Sequence, residues 1–255
     1  MRVSLVTEPG FSAWPNEDFA VVTNTLAVLL DGGAFSAVLP AAVAAPCTHD
    51  ARWFTRALGA RLVAELSAEP PVWIAEGVAR AIDGVATQHA KTCEVDDETH
   101  PSAAVAILRE LPDVYEYYVL GDSTIVFDLA DGTQVARSDK RLSQLAPAER
   151  ERARRNVRGG YWIASANPDA AARGRQGHIG HGDLRRAALL SDGAAAVVER
   201  YELLDWGSAL DAMDKDGPQA IIRAARAAED SDPQAERWPR GKVHDDATVV
   251  LCRPE

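Results

Sequence analysis

The residues able to do chemistry are carboxylates, and they fall where short apolar runs begin or end. Asp31 and Asp192 each follow such a run and precede a glycine. Asp122 follows a run and a glycine, Asp245-Asp246 stands directly before a run, and Glu17-Asp18 precedes another. A lone Asp-Gly is a turn far more often than a ligand. Five acidic placements at the ends of apolar segments point instead to one cluster, and carboxylates gathered beside apolar surface need a counter-charge. Glycine after aspartate lets the backbone approach closely enough for a carbonyl to join the donor set. An all-oxygen set suits hard cations such as Mg2+ or Mn2+ rather than Zn2+.

The elements that must position these groups read as follows. Phe19–Thr23 and Leu26–Leu30 are apolar runs separated by Asn24-Thr25, a hairpin turn that brings Asp18 and Asp31 to one end of the pair. Arg2–Thr7 reads as a strand ended by Glu8-Pro9-Gly10, and Ala34–Asp50 as irregular chain. From Ala51 to Leu66 the set Phe54, Leu58, Leu62, Leu66 marks one helical face. Pro70-Pro71 is expected to open a second helix with the face Ile74, Val78, Ile82, Val85, forming an antiparallel pair with the first against a sheet.

Glu94–Glu98 is an acidic loop. Ser102–Arg109, Val114–Leu120, Thr124–Leu129 and Thr133–Arg137, separated by Leu111-Pro112-Asp113, Gly121-Asp122-Ser123 and Ala130-Asp131-Gly132, read as an antiparallel meander. Residues Arg137–Arg158 carry many arginines and lysines in an otherwise acidic chain, a local basic patch with Pro147 opening its helix; it suits either a solvated face or a phosphorylated partner. Gly174–Gly182 offers His178 and His181 as metal ligands, but a mobile glycine-rich loop explains the stretch at lower cost. Ala187–Leu190 is a strand, helices follow at Ala194–Tyr201, Asp205–Met213 and Gln219–Glu229, and Ala247–Cys252 is a closing strand.

The chain has 255 residues and a net charge of −11, which argues against nonspecific nucleic-acid or anionic-membrane binding. There is no apolar run near the roughly 20 residues of a bilayer span, and no basic segment leads into a long apolar core. A cytoplasmic protein without a signal peptide is the expectation. Cys47, Cys93 and Cys252 are odd in number and far apart; they suit a reducing compartment, and their mutual spacing is not that of a zinc site.

Six stretches, in order, resemble the metal-dependent protein serine/threonine phosphatases, the PPM or type 2C group. They are Asn16-Glu17-Asp18-Phe19, Leu30-Asp31-Gly32-Gly33, Ser102-Ala103-Ala104-Val105-Ala106, Leu120-Gly121-Asp122-Ser123, Leu190-Ser191-Asp192-Gly193 and Asp245-Asp246-Ala247-Thr248-Val249-Val250. Trp53–Leu58 and Trp238-Pro239-Arg240-Gly241-Lys242 look like an actinobacterial branch of that group. The resemblance implies an α/β (α+β) fold: a four-layer sandwich of two antiparallel sheets flanked by antiparallel helix pairs. It implies one phosphatase domain over residues 1–255, with a flap or insert around 137–183. By its motifs Asp31 would bridge two Mg2+ or Mn2+ ions and Gly32 would offer its carbonyl. Asp192 and Asp245 would complete one ion, Glu17 and Asp18 would hold the other, and Asp122 would serve a weaker third. The implied reaction is hydrolysis of phosphoserine or phosphothreonine monoesters by a water that the two metals activate.

Two departures qualify this. The group's phosphate-gripping arginine, three or four residues before its Glu-Asp pair, is replaced by Ala13 and Trp14. Its histidine after the first Asp-Gly is replaced by Gly33, leaving His49 as a candidate general acid. Trp14 and Arg141 are the candidate substrate contacts. Three readings follow: a phosphoprotein phosphatase, a phosphatase for a small phosphorylated ligand with Trp14 as an aromatic wall, and a weakly catalytic metal-binding regulatory module. Substrate, choice of ion and oligomeric state are not encoded in any motif.

Overall fold

The computed structural model describes residues 1–11, 13–33, 49–93, 100–145 and 155–255. Its strands are β1 (Arg2–Glu8), β2 (Phe19–Val22), β3 (Leu26–Gly33), β4 (Ser102–Glu110), β5 (Val114–Leu120), β6 (Thr124–Leu129), β7 (Gln134–Ser138), β8 (Arg175–Gly180), β9 (Leu184–Leu190) and β10 (Ala247–Arg253). Its α-helices are α1 (Ala51–Leu66), α2 (Ile74–His89), α3 (Arg141–Gln144), α4 (Asp192–Glu199), α5 (Trp206–Asp216) and α6 (Gln219–Asp230), with short 3-10 turns at Pro168–Arg173 and His181–Asp183. No described helix is long and apolar enough to cross a membrane.

The strands form two five-stranded antiparallel sheets, ordered β1-β10-β9-β6-β7 and β2-β3-β4-β5-β8. The inner faces of the sheets meet over Ala27, Leu29, Ala106, Leu108, Phe127, Leu189 and Val250. The outer face of the β3 sheet is covered by α1 and α2 through the predicted stripes Phe54, Leu58, Leu62, Leu66 and Ile74, Val78, Ile82, Val85. The other outer face is covered by α4, α5 and α6 through Val197, Leu210, Met213, Ile221 and Ile222. This is the four-layer sandwich. Alternation along each strand feeds the middle layer and one helical layer at once, which is why central strands such as Leu26–Leu30 are apolar throughout.

The structure corrects the sequence reading at three places. The supposed meander is broken: β4 and β5 lie in one sheet, β6 and β7 in the other, and the chain changes sheets at Gly121-Asp122-Ser123. Gly121 has φ +85°, and a Cβ there would stand 2.7 Å from that of Ala104, so this sharp exit from β5 requires glycine. The segment read as a mobile loop contains β8, an edge strand paired with β5 from Val114↔Gly180 to Val119↔Arg175. Backbone pairing, not side-chain burial, defines it, so no apolar alternation marks it in the sequence.

Third, α2 begins at Ile74 rather than at Pro70-Pro71. The buried guanidinium of Arg109 explains the delay. It pairs with Glu116 and donates to the carbonyls of Leu66 (3.3 Å) and Val72 (2.7 Å), holding the residues before Ile74 out of the helix. The acidic loop Glu94–Glu98, the Pro147 helix start and nearly all of Ala34–Asp50 lie outside the described residues.

Candidate metal centre

Each predicted carboxylate is delivered by the end of a strand. The β2–β3 register closes with Phe19↔Leu30, so Asp18 and Asp31 are the next pair along the ladder. Asp31 and Gly32 continue β3 opposite Ala104 and Ala103 of β4. Asp122 is the residue at which the chain leaves β5 for the other sheet. Asp192 is the first residue of α4, directly after β9 and Ser191, and Asp245-Asp246 precedes β10. Two sheets packed face to face thus bring their acid-bearing ends to one groove.

Hydrogen bonds tie these ends together across the chain. The Asp192 N–H donates to Asp31 Oδ2 at 2.9 Å. Thr248 Oγ1 donates to Asp18 Oδ2 at 2.8 Å, and the Thr248 N–H donates to Ser191 Oγ at 2.9 Å. Both oxygens of Asp246 accept backbone N–H groups, from Gly10 at 2.8 Å and Glu17 at 2.7 Å. Asp246 therefore fixes the β1–β2 connection to the start of β10, while its neighbour Asp245 pairs with Lys242 Nζ at 2.6 Å. A side chain at Gly32 would run into the backbone carbonyl of Glu17, so glycine there lets the two acidic strand ends lie against each other.

The electrostatics are those of crowded anions in a poorly solvated place. Burial, then the charges of Asp192, Asp18 and Asp122, hold the Asp31 carboxyl well above the usual range. Burial raises Asp192 to about 8, with Asp122 and Asp245 adding to it and Arg200 opposing. Asp18 is raised to about 7 by burial against the opposing hydrogen bonds of Thr248 and Ser191. Burial likewise raises Glu17 to about 7; Lys242 pulls it down, and Asp246, Asp50 and Asp245 push it up. Asp122 is raised as well, chiefly by burial. Asp18 Oδ1 is buried with no hydrogen-bond partner. A buried carboxylate oxygen left unmatched among other carboxylates suits a cation or a proton.

All seven predicted metal-site residues, Glu17, Asp18, Asp31, Gly32, Asp122, Asp192 and Asp245, are thus on interacting strand ends. The charges of Asp18, Asp122 and Asp192 act on Asp31, and those of Asp122 and Asp245 on Asp192, so these ends lie close to one another. Among the described residues, the trio of His, Cys, Asp or Glu whose ligand atoms all fall within 4.8 Å of one another is a different one, His49, His89 and Cys93.

The remaining candidates stand elsewhere. His49 lies against Trp53 (ring centroids 4.0 Å apart), His89 and the Cys93 thiol. Trp14 is 70% exposed, in a turn where its N–H donates to the Phe11 carbonyl. Arg141 is held by both oxygens of Asp139 and donates to the Arg173 carbonyl at 2.7 Å. With Arg158, Arg173, Trp162 and Gly160 it lines a cleft of about 620 Å³. His178 lies on β8, 3.6 Å from Glu116, and His181 packs on Tyr115, so neither is in the groove. The sequence reading missed Asp246 as a clamp, the Ser191–Thr248 support of Asp18, and Lys242 as a cation at Asp245. The adjacency of two acids before β10 and of Thr248 two residues later was the available signal.

Comparison with solved structures agrees with this architecture. The catalytic domain of the serine/threonine phosphatase PstP, in complex with two manganese ions, aligns with a TM-score of 0.59 at 16% identity, covering 98% of this chain and 96% of that one. The PPM Ser-Thr phosphatase MsPP from Mycobacterium smegmatis, in complex with cacodylate, aligns with a TM-score of 0.62 at 18% identity, covering 100% and 99%. Stp1 from Staphylococcus aureus gives 0.61 at 14% identity, covering 99% and 94%. No family model and no curated protein matches the sequence. The chain has the fold of the PPM serine/threonine phosphatases over its whole length.

Proposed function

We propose that this protein is a divalent-metal-dependent phosphatase that hydrolyses phosphoserine and phosphothreonine monoesters. The observation that carries the reading is the meeting of five acidic strand ends in one groove, with raised proton affinities and a buried, unmatched Asp18 oxygen. A permanent structural role would have matched those charges with arginine or lysine. The fold, shared with metal-containing phosphatases at low identity, supports the same reading.

Asp31, the Gly32 carbonyl, Asp192 and Asp245 would hold Mg2+ or Mn2+ on one side of the groove, Glu17 and Asp18 on the other, and Asp122 would serve a weaker third ion. When bound, such ions offset the phosphoryl charge and acidify water beside the phosphorus. The chain's own residues prepare that setting. Thr248 and Ser191 hold Asp18 in place. Asp246 anchors the loop carrying Glu17. Lys242, 57% exposed at the rim, is kept charged by Asp245, Glu17 and Asp246 against the opposing pull of burial, and offers a cation to the incoming phosphate dianion. The arginine-lined cleft beside Arg141 suits an acidic or phosphorylated protein segment. His49 is engaged by Trp53, His89 and Cys93, and no general-acid role is proposed for it.

A second reading, a small phosphorylated ligand as substrate, is favoured by the exposed aromatic Trp14 where the PPM group has arginine. The deciding experiment measures Mn2+-dependent hydrolysis of an aryl phosphate and of a phosphothreonine peptide panel. Turnover of both, abolished by chelation, is expected. Turnover of the aryl phosphate alone favours the small-ligand reading, and no turnover of either with Mn2+ bound would leave a regulatory module.

A further inference from the structure

We infer that His49, His89 and Cys93 form a second metal site, selective for zinc-like ions and separate from the carboxylate groove. The three ligand atoms, one from His49 and two from the His89–Cys93 turn far along the chain, lie within 4.8 Å of one another. His49 Nδ1 and Cys93 Sγ are 3.5 Å apart. Zinc bonds of about 2.3 Å to sulfur and 2.0–2.1 Å to nitrogen, at a tetrahedral angle, put those two atoms about 3.6 Å apart. The His49 and His89 rings stand 4.8 Å apart and nearly perpendicular, at 82°. His49 is packed on Trp53, which in turn contacts His89, so the two imidazoles are held by a shared wall.

The placement explains how the site escapes a scan of cysteine spacing. His89 ends α2 and Cys93 follows one turn later, with its N–H bonded to the His89 carbonyl. This His-x-x-x-Cys step is the one local signal. His49 comes from the other end of the hairpin, immediately before Asp50, whose side chain caps α1. An ion there would join the residue that enters α1 to the turn that leaves α2, closing the helix pair across its open end.

The donor chemistry separates this site from the groove. Two imidazoles and a thiolate suit Zn2+ or Co2+ and not Mg2+ or Mn2+, whereas the carboxylate groove has the reverse preference. Three protein ligands leave a fourth position for water or another donor. The inference does not depend on the phosphatase reading.

The test uses Co2+ as a spectroscopic stand-in for zinc on the full chain. Wild type should develop a sulfur-to-cobalt charge-transfer band that saturates at one ion per chain, resists excess Mn2+ and disappears on adding Zn2+. Cys93→Ser should abolish the band and Cys252→Ser should keep it. His49→Ala should weaken Co2+ binding by at least about tenfold, the loss that a supporting partner alone can cause. Asp31→Asn, which disturbs only the groove, should leave the band unchanged. Should Cys93→Ser misfold, wild type still decides: Zn2+ should slow alkylation of the Cys93 peptide while Mn2+ does not. No band in wild type, a band that survives Cys93→Ser, or alkylation indifferent to Zn2+ overturns the site.

Discussion

Two clusters of carboxylates in this molecule differ in one respect, and that respect separates structure from function. At the β6–β9 face, Asp128, Asp211 and Asp214 surround Arg186: Nε to Asp128 is 2.8 Å, Nη2 to Asp211 is 2.6 Å, and Nη1 meets Asp214. Arg253 adds a second cation to Asp214. Burial opposes it, yet hydrogen bonds from Arg253 and Arg186 hold the Asp214 carboxyl below its usual range. In the groove, Glu17, Asp18, Asp31, Asp122 and Asp192 are all raised instead. The first cluster carries its cation in the chain. Among the described residues the second has only Lys242, Arg200 and Lys140 acting on it, and they leave its carboxyls raised.

The largest expected effect breaks the self-sufficient cluster. Arg186→Met leaves buried Asp128 with only the Gln134 amide at 3.0 Å and the half-exposed Arg185 at 3.5 Å, and leaves Asp211 and Asp214 without Arg186, so stability should fall by about 3 kcal/mol. Urea denaturation should show it as a lower midpoint, with turnover per folded molecule unchanged. A midpoint like wild type would mean the cluster is only a surface ornament.

Next comes the groove. Asp31→Asn removes one of the central charges. Mn2+-dependent kcat should drop by about 100-fold or more, beyond what loss of an outer-shell partner usually costs. Melting in the absence of metal should be as high as wild type or higher, because a repulsion is relieved. Undiminished turnover in this variant would falsify the assignment of Asp31.

The clusters should also respond oppositely to pH. For Glu17, Asp18 and Asp192, folded-state values near 7 to 8 exceed the unfolded carboxylate values near 4. Between those limits the native state binds more protons than the unfolded chain, so metal-free stability falls as pH rises from about 4 to 8. For Asp214 the folded value is depressed, so its contribution is present above the unfolded value and lost as pH falls below it. Calorimetry of chelator-treated protein should give a melting temperature that declines from pH 5 to pH 8. Saturating Mn2+ should remove that decline, and a flat metal-free profile would contradict the picture of uncompensated charge.

The smallest effect concerns phosphate grip. Trp14→Arg places a cation where the PPM group has one. Because position 14 is exposed, the gain should stay near 1 kcal/mol, about fivefold in kcat/KM on a phosphopeptide, mostly through KM. No gain in a folded, metal-loaded variant would assign the grip to Lys242 or the Arg141 cleft.

What the sequence revealed was local. Acids beside glycine at strand ends, and apolar stripes every fourth residue, are short-range patterns, and both α1 and the acid placements could be read from them. Features set by distant partners could not be read that way. Gly121-Asp122-Ser123 has the composition of a hairpin turn, but a positive φ packed against Ala104 turns it into a crossing between sheets. β8 exists because β5 has an unpaired edge, and α2 starts late because Arg109 takes the Val72 carbonyl. Asp246 is indistinguishable from Asp245 until Gly10 and Glu17 are seen to donate to it.

The pairing of β1 with β10, from Arg2↔Arg253 to Glu8↔Ala247, sets a timetable for the chain's birth. A ribosome finishes β1 long before its hydrogen-bonding partner β10 emerges. Until then β9 also lacks β10, and Asp18 lacks Thr248. Such distant pairing is slow to form. The β3 sheet with α1 and α2 has its neighbours early and can be built during translation. The groove cannot: its last acid, Asp245, and the Thr248 support of Asp18 arrive only with β10. The carboxylate groove therefore stays incomplete until β10 has emerged and docked.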